Sequence, residues 1–258
     1  MFNNIKSKLL KAKNNNSPLG IVMKGAIILI IIIISVSIIK NLYNKYNNYK
    51  NSKPWLFKGT KNAKKRIIIP QDPANENSIT LQRSKNEKNG LEFSYCFWMN
   101  IDDWSYKYGK WKHILHKGND KSWPLRSPGI WLHPKKNTLR IYQNTFYDIG
   151  EFVDIVNIPI KKWFLVSICI KQKILDIYIN GNLVKRKELK GLPKQNYGDI
   201  YINAFNGFSG YMSNIRYWNY YINFSEIRYH LLKGPSIIPC VDKTDGTPPY
   251  LSSEWWNN

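Results

Sequence analysis

The chain has 258 residues, 43% hydrophobic and 14% aromatic, with 10 Trp and 17 Tyr. That is too much apolar surface for a disordered polycation, despite a formal net charge of +22, and the length suffices for a buried core. Three cysteines cannot make a disulfide framework, and no CxxC spacing points to zinc.

The charge is uneven along the chain. Residues 1–66 hold 14 Lys/Arg and no carboxylate, whereas residues 67–258 hold 25 Lys/Arg against 17 Asp/Glu. A basic N-terminal segment, 1–18, is followed by the apolar run 19–39, LGIVMKGAIILIIIIISVSII, whose single charge is Lys24. As a helix, this run spans about 31 Å, which matches a bilayer core of roughly 30 Å. Gly25 to Ile39 contains nine Ile, one Leu and one Val. At about −0.5 kcal/mol each, they outweigh a snorkelling Lys24, whose cost is at most about 3 kcal/mol. Ser35-Val36-Ser37 lies inside the run and the segment before it is long, so an uncleaved signal-anchor is expected rather than a cleaved signal peptide. Lysines on both sides nearly balance the positive-inside rule, and an N-inside orientation is the default for a small N-terminus with a large C-terminal domain.

Residues 40–65 read as a basic, aromatic stalk. Lys24, Lys40, Tyr43 and Tyr46 form a membrane-interface set, with rings at headgroup depth and lysines near lipid phosphates. Beyond Pro54 the expectation is plain linker.

From residue 66 to 235 the pattern becomes β. Phe93, Tyr95, Phe97 and Met99 alternate with Ser94, Cys96, Trp98 and Asn100, and further β-rich runs occur at 112–116, 129–133, 138–143, 163–171, 173–180, 183–189, 199–203 and 208–218. Asn180-Gly181 favours a type I′ turn and predicts a hairpin over 173–189. One short helix is expected at 225–232, with Ser225 as N-cap and Gly234-Pro235 ending it. The fold class is all-β: a two-sheet jelly roll with one short C-terminal helix, preceded by a single transmembrane helix. Residues 236–258 form a C-terminal tail.

Six motifs then appear in an order that resembles the laminin-G-like branch of the concanavalin A-like lectin/glucanase superfamily. They are FSYCFWMNIDDW at 93–104, WKHILHKGN at 111–119, PGIWLH at 128–133, IPIKKWFLVSICI at 158–170, LDIYINGNLV at 175–184 and FNGFSGYMSNIRYWNYYINFSEI at 205–227. The tail, Thr247 to Ser252 with Trp255 and Trp256, is similar to membrane-anchored members of that family in large DNA viruses. The resemblance implies a jelly roll that binds glycans or proteins, in some members through Ca²⁺, and a viral envelope or inner virion membrane as its location.

Catalysis is not expected. Glucan hydrolysis needs two carboxylates about 5–9 Å apart. The nearest run, Glu151-Phe152-Val153-Asp154, has a spacing of three, which sends the two carboxylates to opposite strand faces, and it reads as a solvated edge. His113, His116, His133 and His230 look scattered, and the spacing of His113 and His116 also alternates faces. Ligand binding is expected instead from the aromatic and polar groups of 100–131: Trp104, Tyr106, Trp123, Asp103, Asn119 and Asp120. Each loop Trp is either a ligand platform or packing beneath a long loop. Asp102, Asp103 and Asp120 are candidate Ca²⁺ ligands, the plainer reading being surface acids among lysines; no other cofactor is implied. A Cys96–Cys169 bridge requires facing strands and an oxidising compartment, and Asn223-Phe224-Ser225 is a formal glycosylation site.

Three functions follow. The first is a membrane-anchored, lectin-like module for a glycan or glycoprotein. The second is a structural virion or membrane protein whose jelly roll packs against other proteins, as a membrane-to-capsid tether would. The third is nucleic-acid binding through the basic arms, which ranks last because those arms flank a membrane span and lipid phosphates are the nearer partners.

Overall fold

A computed structural model describes residues 18–84 and 91–238. The expectations for segment 1–17, and for most of the 236–258 tail including Cys240 and the motif resembling viral proteins, fall outside these residues. The chain divides into two compact units, Met1–Lys50 and Asn51–Asn258.

The first unit contains helix α1, Pro18–Asn51. Every Ile, Leu and Val from Ile27 to Ile39 is more than half exposed. The Ser35 hydroxyl donates to the Ile31 carbonyl at 2.8 Å, so even this polar side chain is satisfied within the helix. The helix does not stop at Ile39. It carries Lys40, Tyr43 and Tyr46 onward as helical residues, so the first half of the expected stalk is helix.

The second unit is a sandwich of two six-stranded antiparallel sheets. Sheet A has the order β1 (Trp55–Asn62), β12 (Ser209–Trp218), β3 (Glu92–Asp103), β8 (Trp163–Lys171), β9 (Ile174–Ile179), β10 (Asn182–Glu188). Sheet B runs β2 (Ile67–Ile69), β11 (Asp199–Ile202), β4 (Lys112–Gly118), β5 (Arg126–Leu132), β6 (Thr138–Tyr142), β7 (Phe152–Val156). All the strands anticipated from residue 92 onward are present. The second half of the expected stalk is corrected: Trp55–Asn62 is not linker but the edge strand of sheet A, paired antiparallel with β12 and burying Leu56 and Phe57.

The core lies between the sheets. Phe93, Tyr95, Phe97 and Met99 from β3 meet Leu115, Ile130, Leu132, Leu139 and Ile141 from sheet B. A second apolar cluster covers the outer face of sheet A, where Cys96, Trp98, Leu165, Cys169 and Trp218 are roofed by Ile222 and by Ile227 of helix α2 (Phe224–Lys233). β3 is therefore buried on both faces, which explains its near-continuous apolar sequence.

The β9–β10 hairpin forms as expected, with Asn180 and Gly181 at φ 51° and 82°, the positive values that a type I′ turn needs. The cap of α2 differs from expectation. Asn223, not Ser225, is the N-cap: its side chain accepts from the Glu226 N–H at 2.9 Å while Glu226 accepts from the Asn223 N–H. Asn-x-x-Glu is a capping box, and it outcompetes a serine two residues further in. Cys96 and Cys169 are both free and buried. In the β3–β8 register Cys96 faces Ser167 and Ser94 faces Cys169, so the thiols are diagonal neighbours rather than partners. The Ser167 hydroxyl donates to Cys96 Sγ at 3.3 Å.

Candidate functional site

A cavity of about 370 Å³ opens at the end of the sandwich where β3, β5 and β11 begin and β4 and β12 end. Its floor is apolar: Phe93, Tyr95, Leu81 and Tyr217. Tyr95 and Tyr217 meet edge to face at 5.0 Å, and the Tyr217 hydroxyl donates to the Gln82 carbonyl at 2.9 Å. Burial raises the pKa of both phenols, so they stay protonated.

The wall is polar and held from behind. Gln71 donates to the Ile79 carbonyl and accepts from the Leu81 N–H, which ties the segment after β2 across the cavity. Its own N–H is held by Asp199 Oδ1 at 2.9 Å. Asn196 donates to the Lys117 carbonyl and accepts from the Gly198 N–H. Glycine is required at 198, because a Cβ there would lie 2.2 Å from the Gly118 carbonyl oxygen. Lys117, almost wholly buried, donates from Nζ to the Gly198 carbonyl at 2.6 Å. Burial brings its pKa down to about 8, with Asp199 opposing. At the rim, the Arg83 guanidinium donates to Gln195 Oε1 and to the Tyr197 hydroxyl and lies 5.4 Å from the Tyr197 ring centre, leaving that ring widely exposed. An exposed aromatic face beside amides, a carboxylate and an ammonium over an apolar floor suits a compact polyhydroxylated ring.

The histidines give the largest correction. A register shift between His113 and Leu115 puts a bulge at Ile114, and this brings His113 and His116 onto one face. The Ala204 N–H donates to His113 Nδ1 at 2.9 Å, His113 Nε2 meets His116 Nδ1 at 2.6 Å, and His116 Nε2 reaches the Asn119 carbonyl at 2.8 Å. This chain of bonds places one proton on Nε2 of each ring and uses all four ring nitrogens. Both rings are fully buried beneath Phe205, beside Trp131 and Tyr201. Burial pushes His113 well below its ordinary value and His116 down to about 4. The pair is a neutral structural relay.

None of the six residues expected to bind ligand lines this cavity. They fall into two groups. Trp104 packs against the core, Asp103 accepts from the Ser105 N–H and hydroxyl, and the Tyr106 hydroxyl donates to the Asn206 carbonyl. Those bonds from Ser105 hold the Asp103 carboxyl below its usual range. Asn119 donates to the Trp123 carbonyl within the β4–β5 loop, where Asp120 and Trp123 are exposed. Asp102, Asp103 and Asp120 are not gathered: among the described residues no three His, Cys, Asp or Glu side chains are placed to hold an ion. Glu151 is not solvated as expected but buried, accepting from the Lys190 N–H and paired with Lys187 at 3.5 Å. Asp154 is bound by Arg140.

A family model described as the concanavalin A-like lectin/glucanases superfamily matches residues 73–228. The chain belongs to that superfamily. No curated protein matches it. Among solved structures it is similar to the binding domain of botulinum neurotoxin serotype D, at 13% identity and TM-score 0.49, covering 65% of this chain and 40% of that one. It is similar also to the binding domain of botulinum neurotoxin DC in complex with rat synaptotagmin II, at 18% identity and TM-score 0.47, with the same coverage. A structure of botulinum neurotoxin type C, whose cell entry depends on interaction with two ganglioside molecules, matches at 17% identity and TM-score 0.45, covering 55% of this chain and 36% of that one. The chain thus spans well under half the length of these structures.

Within this superfamily member, sequence reasoning missed the cavity because its residues come from separate segments around 71–83, 93–95, 117–127, 195–199 and 217. The one local signal was Asn196-Tyr197-Gly198-Asp199, a polar and aromatic turn just before a strand.

Proposed function

We propose that the protein is a membrane-anchored, non-catalytic lectin-like module that binds a glycan or glycoprotein through the cavity at the open end of its sandwich. The observation that carries this reading is the pairing of an exposed Tyr197 ring with Gln195, Asp199 and Lys117 above an apolar floor. Asp72 lines the cavity too; it accepts the Ala74 N–H within its own turn, whereas Asp199 accepts the Gln71 N–H from across the cavity, which fixes its carboxylate at the wall. Binding requires no Ca²⁺, so EDTA leaves it unchanged.

The helix α1 supports the anchor. It is the one helix among the described residues long and apolar enough to cross a membrane. Lys40, Tyr43 and Tyr46 lie on its continuation, Tyr43 about 6 Å and Tyr46 about 10 Å beyond Ile39, at headgroup depth. The N-terminus faces inside and the sandwich lies on the opposite side. The basic flanks meet anionic lipid rather than nucleic acid.

A glycan array probed with fragment 51–258, whose core is built entirely from its own residues, tests the reading. Binding that is lost in Tyr197→Ala and kept in Tyr108→Ala is the expected result. A blank array would overturn it in favour of a packing role within a membrane-bound particle.

A further inference from the structure

The outer face of sheet B carries an arginine whose charge nothing in the described protein answers. Across β5, β6 and β7 the register aligns Gly129 with Tyr142 and Phe152, and Trp131 with Arg140 and Asp154. Gly129 leaves a gap in the first row. The Arg126 stem fills it so closely that a Cβ on Gly129 would come within 3.1 Å of Arg126 Cβ and Cδ. The guanidinium carbon therefore lands 3.5 Å from the Tyr142 ring centre and 5.2 Å from that of Trp123.

Its neighbour shows the contrast. Arg140 stacks on Phe152 at 3.8 Å but is neutralised by Asp154 through two bonds of 2.7 Å. Arg126 has no such partner: its Nε is buried without an acceptor, and no Asp or Glu among the described residues makes an ion pair with it. Partial burial, with Arg140 adding to it, lowers its pKa from the ordinary value, against the pull of Tyr142. The Trp123 ring beside it is 52% exposed. A guanidinium centred 3.5 Å from one ring centre, with a second, open ring 5.2 Å away, suits a carboxylate attached to a sugar ring.

We propose that Arg126 and Trp123, with Tyr142 beneath, form a second site that binds the carboxylate and ring of an acidic sugar. The inference rests on the glycan reading for its ligand class but not on the cavity. The carboxylate takes the guanidinium edge and the ring lies on Trp123.

The test uses ¹⁵N spectra of fragment 51–258, titrated with methyl glucuronide and with methyl glucoside, which lacks only the carboxylate. The glucuronide is expected to move the Arg126 side-chain and Trp123 indole signals and to bind about tenfold more tightly than the glucoside, the scale of one charge-assisted bidentate contact. Arg126→Gln should remove that preference while leaving signals outside the site in place, and Trp123→Ala should weaken both sugars. Equal binding of the two sugars, or an Arg126 signal that stays still, would overturn the proposal. So would acetate moving Arg126 as far as the glucuronide does, because the ring would then contribute nothing. Array binding that depends on Tyr197 but ignores the carboxylate sinks this site and leaves the cavity reading standing. A blank array with a carboxylate response at Arg126 does the reverse.

Discussion

The His113–His116 relay makes acid destabilise the sandwich in a calculable way. Both rings are neutral and fully bonded in the folded state, so a proton added to either must displace an N–H donor or break the contact between the rings. His116 falls from an ordinary 6.5 to about 4 on folding. The unfolded chain therefore binds more protons than the folded one below about pH 6.5, and stability present above that pH is lost as the pH falls toward 4. Between pH 7 and pH 5 this single group removes about 2 kcal/mol, and His113 acts in the same direction. Urea unfolding of fragment 51–258, followed by Trp fluorescence at both pH values, measures the loss. His116→Gln should be less stable at pH 7, yet its stability should change less between pH 7 and 5, by about 2 kcal/mol. Parallel pH dependences in the two proteins would refute the relay.

Asn223→Ala should cost about 1 kcal/mol in urea unfolding, while Ser225→Ala stays within about 0.5 kcal/mol, because only Asn223 caps the helix. Fragment 66–258, which lacks β1 and with it buried Leu56 and Phe57, should be about 3–6 kcal/mol less stable than fragment 51–258 by thermal or urea unfolding. Cys96, buried and with its thiol pushed up to about 12, and Cys169, raised likewise, should resist iodoacetamide at pH 8 in the native protein. Mass spectrometry should show both alkylated rapidly once urea is added.

Most of the sandwich was legible because its strands carry strong local signals: period-two alternation in 93–99, near-continuous apolar runs such as 163–170, broken only by Ser167, and Asn180-Gly181 between two strands. β1 was not, because Gly59 and two lysines, Lys58 and Lys61, interrupt Trp55–Asn62, and an edge strand beside a basic segment looks like linker. The histidine pair failed for a different reason. Spacing arguments assume an unbroken pleat, and the bulge at Ile114 shifts the parity by one residue. The cavity was illegible because its chemistry is assembled only when distant strand ends converge. Of the expected site residues, Trp123 alone falls in the proposed acidic-sugar site, and its neighbour Arg126 became visible only through a missing side chain at Gly129 and a carboxylate given to Arg140 instead.

The free state of Cys96 and Cys169 has a topological consequence. Both thiols are sealed between β3, β8 and the roof of α2, in an apolar cluster that the Ile222 N–H, donated to the Ser94 hydroxyl, helps to fasten to β3. Among the described residues, the sandwich core thus closes without a disulfide. Neither of these two thiols has to be oxidised for the core to close, so added reductant is expected to leave their contribution to its stability unchanged.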